Sequence, residues 1–312
     1  PYSISRTDTN DRPISIGAIF PSVSSLIDQT YMMYLNELCQ KNNYRLYSCC
    51  SQENVRTEKE LLNQYIKSGV QGTILFPVVT EMNSPMITRL IHGSETAPPY
   101  PLVFIDRYLE NTGGSYIISD NRQGSRLAAD YLLNAVGEQI AILHFPLCNS
   151  TVTERYDSFR AAFTSSGIPF TPKNDCMIDD LRLLDKSNEN RIEYIMASIL
   201  QHLRKYNQLQ GLFCANAEIA QIAYYAVIQM KRTPGVDFEI VSFDPPYLPG
   251  VHFIQQDYRT MVQHAIDLLF AQIQGDFTVV QTRIPTSFIY MDAQPTHTQS
   301  LRYLIKGPNQ TF

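Results

Sequence analysis

The sequence predicts an α/β protein of two lobes, in which each lobe is a parallel sheet flanked by helices. Along the 312 residues, short runs of strand-forming residues alternate with amphipathic runs of helical length. This alternation is typical of right-handed βαβ units, which build parallel sheets. It runs once through residues 13–119 and then begins again, so two similar blocks are expected.

The first block contains five predicted strands and three predicted helices. Among the strands, the run at 72–76 is mainly apolar. The strands are expected at 15–20, 45–50, 72–76, 102–105 and 116–119, and the helices at 31–41, 58–68 and 85–92.

The second block repeats the pattern and then continues beyond it. Its helix at 153–166 stops at Gly167 with Pro169 just beyond, which is a helix-ending pattern. The other helices are expected at 124–135, 191–206 and 218–231, and the strands at 139–145, 176–178, 211–215, 239–243 and 252–254. A helix at 258–274 and a strand at 287–291 come after this block is complete, as two lobes joined by several chain crossings would allow.

These patterns give the expected domain boundaries. Residues 1–12 are a polar linker, and 295–312 are a loose tail. The N-terminal lobe is expected to contain 13–118 and 257–282, and the C-terminal lobe 119–256 and 283–294. Clefts between lobes are preferred ligand sites.

Composition excludes several classes of protein. No run of about 18 apolar residues occurs, so no membrane span or membrane partner is expected. The net charge is −5 and Lys and Arg are spread thinly, so this region is not expected to touch nucleic acid itself. The six cysteines form no C-x-x-C pair, which favours reduced thiols in the cytoplasm. The chain opens at Pro1 without Met, and we expect a natural N-terminus further upstream.

Arg155 is the sharpest candidate for a binding residue. The spacing of Thr151 and Glu154 is that of a capping box, which predicts a helix start near residue 152. Arg155 then lies on the apolar face near the helix N-terminus, where a cation costs about 0.3–1 kcal/mol. A guanidinium there suits ligand oxygens. Alternatively, it pairs with Asp157 or Asp120, or extends to solvent.

Other polar residues follow predicted strands, and parallel strands bring such positions to one binding edge. Asp244 follows an apolar strand and precedes two prolines, so its carboxylate could accept two sugar hydroxyls or close an Asx-turn. Asp106 has the same position after its strand and could instead pair with Arg107.

Three kinds of side chain complete the candidate set. Asn216 precedes an apolar helix, where it could cap the helix and also bind a ligand. Gln256 ends a segment expected to pass between the lobes. Phe20 and Tyr108 could offer a stacking surface, although aromatic residues near strand ends are more often core.

No catalytic or cofactor motif accompanies these residues. The six histidines show no metal-binding spacing, no Gly-rich phosphate loop follows the first strand, and no G-x-S-x-G motif occurs. The sequence therefore predicts a binding protein with no cofactor, no metal and no enzymatic activity.

Six ordered segments carry a family resemblance. They are Ile14–Pro21, Val70–Leu75, Phe104–Arg107, Ser119–Gly124, Arg155–Ala162 and Ile240–Asp244. Together they resemble the effector-binding region of LacI/GalR-type bacterial transcription regulators, which are related to periplasmic sugar-binding proteins. Ala217, Ser158 and Ser242 stand where this family has Asp, Gly and Gly, so the resemblance specifies the fold more closely than the ligand.

The resemblance implies a two-lobed periplasmic-binding-protein-like fold with the ligand cleft between the lobes. It implies a cytoplasmic homodimer that binds operator DNA through a head absent from this chain, either a helix-turn-helix or a GntR-type winged helix. Its ligand contacts fall on Asp106, Arg155, Asn216 and Asp244, and less firmly on Gln256.

The expected effector is a neutral pentose or hexose, because one Arg balanced by two Asp suits hydroxyl groups better than phosphate. A nucleobase or an amino sugar is left open, as is whether the effector releases or recruits DNA. The alternative function is a periplasmic sugar-binding protein of a transport system, against which the six cysteines argue. An enzyme would need a catalytic pair that the sequence does not display.

Overall fold

A computed structural model describes residues 13–23, 26–78, 84–95, 97–147, 149–179 and 188–293. The chain forms two compact units and passes between them three times. The first unit ends at Ser119 and resumes for Asp257–Ile284, and the second contains Asp120–Gln256 and the segment from Pro285 onward. The expected linker at 1–12 and tail at 295–312 lie outside the described residues.

The first unit is a six-stranded sheet flanked by four helices in its described part. Its elements are β1 (Ser15–Phe20), α1 (Leu26–Lys41), β2 (Arg45–Cys50), α2 (Val55–Lys67), β3 (Gly72–Leu75), α3 (Ser84–His92), β4 (Leu102–Ile105), β5 (Ser115–Ser119), and, after the chain returns, α8 (Tyr258–Ile273) and β11 (Gln281–Ile284). All the strand pairings in this sheet are parallel.

The second unit is a sheet of the same size. Its elements are α4 (Asn121–Val136), β6 (Ile140–His144), α5 (Ser150–Ser165), β7 (Asp175–Met177), α6 (Asn188–Lys205), β8 (Gly211–Cys214), α7 (Ala217–Gln229), β9 (Glu239–Phe243), β10 (Val251–Gln255) and β12 (Ser287–Ile289). The pairing of β12 with β10 is antiparallel, and the other pairings are parallel.

The two sheets have the same strand order. The first runs β11-β5-β4-β3-β1-β2 and the second β12-β10-β9-β8-β6-β7. Strands β6 to β10 therefore occupy the same places in the second sheet as β1 to β5 occupy in the first, in the same order. As a result, α5 follows β6 as α1 follows β1, and the residue after β9 corresponds to the residue after β4.

Burial explains why the central strands form. Every residue of β3, β4, β6 and β8 is buried, as expected for parallel strands covered on both faces. In the first unit α8 packs on the sheet through a stripe that includes Met261, Ala265 and Leu269. In the second unit Phe159 and Phe163 of α5 pack against Phe213 of β8 and its neighbours.

The predicted fold class is confirmed, and several element boundaries need correction. The start of α5 was predicted wrongly, because Asn149 is its N-cap and accepts a 2.8 Å hydrogen bond from the Val152 amide. Helix α1 begins at Leu26, five residues before the predicted start. Strand β11 was not predicted, and its final residues, 283 and 284, lie in the first unit rather than in the expected C-terminal lobe.

Two further features of the described residues bear on function. None of their helices is long and apolar enough to cross a membrane. The five cysteines among them are free thiols, and Cys148 lies outside the described part.

Candidate functional site

Arg155 lies at the carboxyl edge of the second sheet and is only 4% exposed. Its Nε donates to Asn121 Oδ1 at 2.9 Å, and its Nη1 donates to the Ala215 carbonyl at 2.7 Å. The guanidinium carbon lies 3.5 Å from the centre of the Phe243 ring. A buried cation is costly unless its donors are satisfied. These contacts meet that need and exclude the alternative in which Arg155 extends to solvent.

Asp244 lies beside Arg155 and is 1% exposed. Its Oδ2 is 3.9 Å from Arg155 Nη1, and its Oδ1 accepts a 2.6 Å hydrogen bond from Gln256 Nε2. The structure therefore brings together three of the predicted residues, and we call Arg155, Asp244 and Gln256 the arginine cluster. It brings together a guanidinium, a carboxylate and an amide. Such groups can donate hydrogen bonds to hydroxyl oxygens and accept hydrogen bonds from hydroxyl protons.

The backbone of Asp244 is unusual, with φ of +74°. That value lies in the left-handed region, which Asp enters more readily than most residues but still at a cost. Its amide donates to the Ile254 carbonyl at 3.0 Å, which fixes this conformation. Backbone strain held in place in this way is common at binding sites.

Asn216 serves as the N-cap of α7, as the sequence predicted. Its Oδ1 accepts a 2.9 Å hydrogen bond from the Ile219 amide. Because the oxygen is used, the amide nitrogen is the group that could bind a ligand. Asn216 directly follows Ala215, whose carbonyl receives Arg155.

Asp106 lies at the carboxyl edge of the first sheet. Its φ is +68°, so it shares the left-handed backbone of Asp244. Its Oδ1 accepts from the Tyr31 hydroxyl at 3.4 Å, and its Oδ2 is 3.7 Å from Arg107 Nε. The pairing with Arg107 that the sequence left open is therefore present. Arg107 also donates twice to Glu53, at 3.2 Å each.

The two predicted aromatic residues also belong to the first unit. Phe20 is 0% exposed and stacks on Phe76 with ring centres 4.7 Å apart, which is the core role that the sequence left open. Tyr108 is half-buried and stacks on Tyr116 at 4.5 Å.

Sequence analysis missed several residues at these edges. Phe243 is the last residue of β9, and Arg155 packs over the face of its ring. Asn121 is the first residue of α4, and its Oδ1 accepts the hydrogen bond from Arg155 Nε. Tyr31 is the sixth residue of α1, as Arg155 is of α5. The correspondence appears only when the two blocks are aligned by the helix starts that the structure gives.

Glu58 is a buried acid that the sequence did not single out. It lies on α2, and its Oε2 accepts a 2.6 Å hydrogen bond from the Val78 amide. Burial raises the pKa of this carboxyl to about 7, and the nearby Arg107 only partly opposes that rise. Glu58 is therefore largely protonated below neutral pH.

The groups of the arginine cluster are hydrogen-bonding groups. Among the described residues, no group of three or more His, Cys, Asp or Glu side chains could hold a metal ion. The cluster itself contains no hydroxyl or thiol nucleophile. It offers donors and acceptors to a small polar molecule.

Comparison with known proteins gives one family match and many relatives. A family model described as a periplasmic binding protein domain matches residues 22–277. The chain is 23% identical to the HTH-type transcriptional repressor PurR of Pasteurella multocida over 88% of this chain and 78% of that protein. It is 22% identical to the ribose operon repressor of Bacillus subtilis over 90% of this chain and 80% of that protein.

The fold is also similar to that of solved structures. One is the lac repressor dimer bound to operator and the anti-inducer ONPF, with a TM-score of 0.74. The sequence identity is 19%, and the match covers 91% of this chain and 82% of that one. At this identity the likeness concerns the fold alone.

Proposed function

We propose, because the chain belongs to the family of periplasmic binding protein domains, that it is the effector-binding region of a LacI/GalR-type transcription regulator. The observation that carries this proposal is the arginine cluster at the carboxyl edge of the second sheet. Ligands of open α/β sheets bind at such edges. The names of the relatives, which are transcription repressors, support the same function.

The proposed effector is a neutral pentose or hexose. Arg155 can donate to sugar oxygens, and the Asp244 carboxylate can accept from neighbouring hydroxyls. Since the arginine and the aspartate balance each other, a neutral ligand leaves no buried net charge at the cluster. Asn216 and Gln256 would add amide groups, and we propose Asp106 and Tyr108 as further contacts. We do not propose Phe20, because its ring has no exposed surface.

The proposed output is a change in operator binding. The solved lac repressor is a dimer on its operator, and we extend that arrangement to this chain. The net charge of −5 makes direct DNA contact by this region unfavourable, so a separate head would bind DNA in the cytoplasm. Effector occupancy would change the affinity of that head for DNA, as reciprocal coupling requires.

A thermal-denaturation screen tests the effector class. The chain is heated alone and with D-ribose, other neutral pentoses and hexoses, sugar phosphates and nucleosides. A binder at 100 times its Kd stabilises the folded state by about 2.7 kcal/mol. Stabilisation by a neutral sugar is expected. Stabilisation only by phosphates or nucleosides contradicts the sugar assignment.

Arg155→Lys then tests the site. Lysine keeps the charge but loses the planar fork of donors, so we expect the sugar-induced stabilisation to disappear. Arg160→Lys is the matched control, because Arg160 lies five residues further along α5 and is exposed. Equal sugar responses in the two variants would remove Arg155 from the site.

Sedimentation analysis tests the proposed assembly. A dimer has twice the 35.6 kDa mass of the chain. A mass of one chain at micromolar concentration contradicts dimerisation by this region.

A further inference from the structure

A second cluster of polar side chains lies in the second unit, next to Arg155 in sequence. His144 Nε2 is 3.0 Å from Asp175 Oδ1, and the Tyr156 hydroxyl donates to Asp175 Oδ2 at 2.9 Å. The other ring nitrogen of His144, Nδ1, is 2.6 Å from the Phe145 carbonyl oxygen. We call His144, Asp175 and Tyr156 the histidine cluster. It joins the end of β6, the start of β7 and the first half of α5.

The geometry fixes the protons on His144. A carbonyl oxygen can only accept, so Nδ1 must carry a proton to bond to Phe145. Asp175 is an ionised acceptor, since hydrogen bonds from His144 and then Tyr156 lower its pKa against the opposing effect of burial. Nε2 must therefore carry a proton as well. His144, only 2% exposed, is thus an imidazolium in a charge-assisted pair.

A chemically matched network on the same sheet has a different proton arrangement. His252 lies with Tyr131 and Glu239, and its Nε2 is 2.7 Å from the Tyr131 hydroxyl. Its Nδ1, however, accepts a 2.9 Å hydrogen bond from the Met291 amide. That nitrogen must be bare, so His252 is neutral. The difference arises from the backbone group facing each Nδ1, which is an acceptor for one histidine and a donor for the other.

The histidine cluster controls how α5 is turned about its axis. Tyr156 follows Arg155 directly, so the two side chains leave the helix about 100° apart. Tying Tyr156 to Asp175 on β7 therefore fixes the direction of Arg155. On the other side of Arg155, Glu154 lies 3.5 Å from Arg122, which is 66% exposed. Glu154 itself is buried, so α5 is tied on both sides of Arg155, and the 2.9 Å bond from Tyr156 to Asp175 is the shorter of the two ties.

The cluster also shapes the connection that leads into α5. The bond from His144 to the Phe145 carbonyl lies at the first residue after β6. Just past β7, the Ile178 amide donates to the backbone carbonyl of His144 at 2.8 Å. The imidazole itself fixes the Phe145 carbonyl, at the start of the segment that leads to Arg155.

Other titratable groups act on this cluster only through space. Arg160 and Asp157 on α5 affect Tyr156 in opposite directions. His202 on α6 donates through Nε2 to the Lys173 carbonyl, and burial lowers its pKa, so it is mainly neutral and adds little charge. None of these contributions replaces the direct bonds to His144.

We propose that His144, Asp175 and Tyr156 are positioning residues for Arg155, and that they act with His144 as a buried imidazolium. The role of Arg155 in effector binding rests on the proposed function, but its position does not. The protonation of His144 and the position of Arg155 can therefore be measured without an effector.

The first test is NMR of the full chain labelled with ¹⁵N-histidine at neutral pH. His144→Gln and His252→Gln assign the two sets of signals. His144 is expected to show two protonated ring nitrogens, and His252 one protonated and one bare nitrogen. A bare nitrogen on His144 would overturn the imidazolium assignment.

The second test follows the Arg155 Nε–H signal in chain labelled with ¹⁵N-arginine. This proton is buried in its bond to Asn121, so it exchanges slowly, and Arg155→Lys assigns it. Asp175→Asn and Tyr156→Phe are expected to move or broaden the signal. Glu239→Gln and Tyr131→Phe, the same changes in the matched network, are expected to leave it unchanged.

Denaturation midpoints separate positioning from general loss of stability. If Asp175→Asn does not fold, Tyr156→Phe, which removes one hydroxyl, still tests the inference. An Arg155 signal that is unmoved in folded Tyr156→Phe would overturn the positioning role. A failed sugar screen would leave these signals unaffected, so the two proposals fail separately.

Discussion

The carboxyl edges of the two sheets have the same plan but different chemistry. Strand order is identical, and Asp106 and Asp244 follow corresponding strands with the same left-handed backbone. Each aspartate faces the sixth residue of the corresponding helix, which is Tyr31 in the first unit and Arg155 in the second. A repeated scaffold thus presents a neutral helix side chain to one aspartate and a cationic helix side chain to the other.

This difference concerns the side chain that each helix presents to its aspartate. Tyr31 packs edge-on against the rings of Phe76 and Tyr258, so its position is largely part of the core. Arg155 rests on one ring and sends its donors to Asn121 and Ala215. At the second edge, directed polar contacts stand where the first edge has mainly aromatic packing.

The largest expected effect comes from removing the cation. Arg155→Met leaves Asp244 buried beside an apolar side chain, and breaking such a pair costs about 3–5 kcal/mol. Tyr31→Phe removes the hydroxyl at the corresponding position, which lies 3.4 Å from both Asp106 Oδ1 and Met261 Sδ, and this is expected to cost about 0.5–1.5 kcal/mol. Urea denaturation measures both. Equal losses would mean that the two edges do not differ as described.

The sequence predicted several strands of the two sheets correctly but missed one edge strand. The bounds of β1, β2, β4 and β9 were predicted correctly, because each is a strand-forming run with clear ends. Strand β11 was missed because its sequence, QTRI, is mostly polar and only its last residue is buried. Runs of apolar residues identify buried strands, and an exposed edge strand such as β11 has no such run.

The candidate site was predicted in part for a similar reason. Arg155 was identified because a cation stood on an apolar helix face, which is a local signal. Its contacts with Phe243 and Ala215 depend on strand order, which no local pattern contains. The correspondence with Tyr31 was hidden because the starts of α1 and α5 were both placed too late, by different amounts.

One acid in each unit gives the stability of that unit a different dependence on pH. Burial raises the pKa of Glu58 in the first unit to about 7, against about 4.3 in an unfolded chain. Its stabilisation is full below the unfolded value and is lost as the pH rises through about 7. Since one pKa unit is about 1.4 kcal/mol, the fall across this range is roughly 4 kcal/mol.

Glu58→Gln is therefore expected to flatten the decline in the free energy of unfolding between about pH 4 and 7. Urea titrations at several pH values measure it. Asp175 in the second unit has a lowered pKa, so its stabilisation is present above about pH 3.9 and is lost as the pH falls further. Asp175→Asn is therefore expected to lower the free energy of unfolding above about pH 3.9 and to have less effect as the pH falls below it. An effect of Asp175→Asn that grows as the pH falls would contradict the opposite signs assigned to the two acids.

The smallest expected effect sharpens the comparison of the two aspartates. Asparagine suits left-handed backbone as well as aspartate does, so Asp106→Asn and Asp244→Asn change charge without adding strain. Asp106 is partly exposed, and its pairing with Arg107 at 3.7 Å is expected to contribute about 0–1 kcal/mol. Asp244 is buried, so Asp244→Asn leaves the positive charge of Arg155 less compensated. We expect its loss in the free energy of unfolding to be about 1–2 kcal/mol larger than that of Asp106→Asn. Denaturation of both variants at high salt is the measurement, because screening should reduce the Asp106 effect and leave that of Asp244. If salt reduces both effects equally, then Asp244 is as accessible to solvent as Asp106, and the second edge is not the buried polar site that its contacts describe.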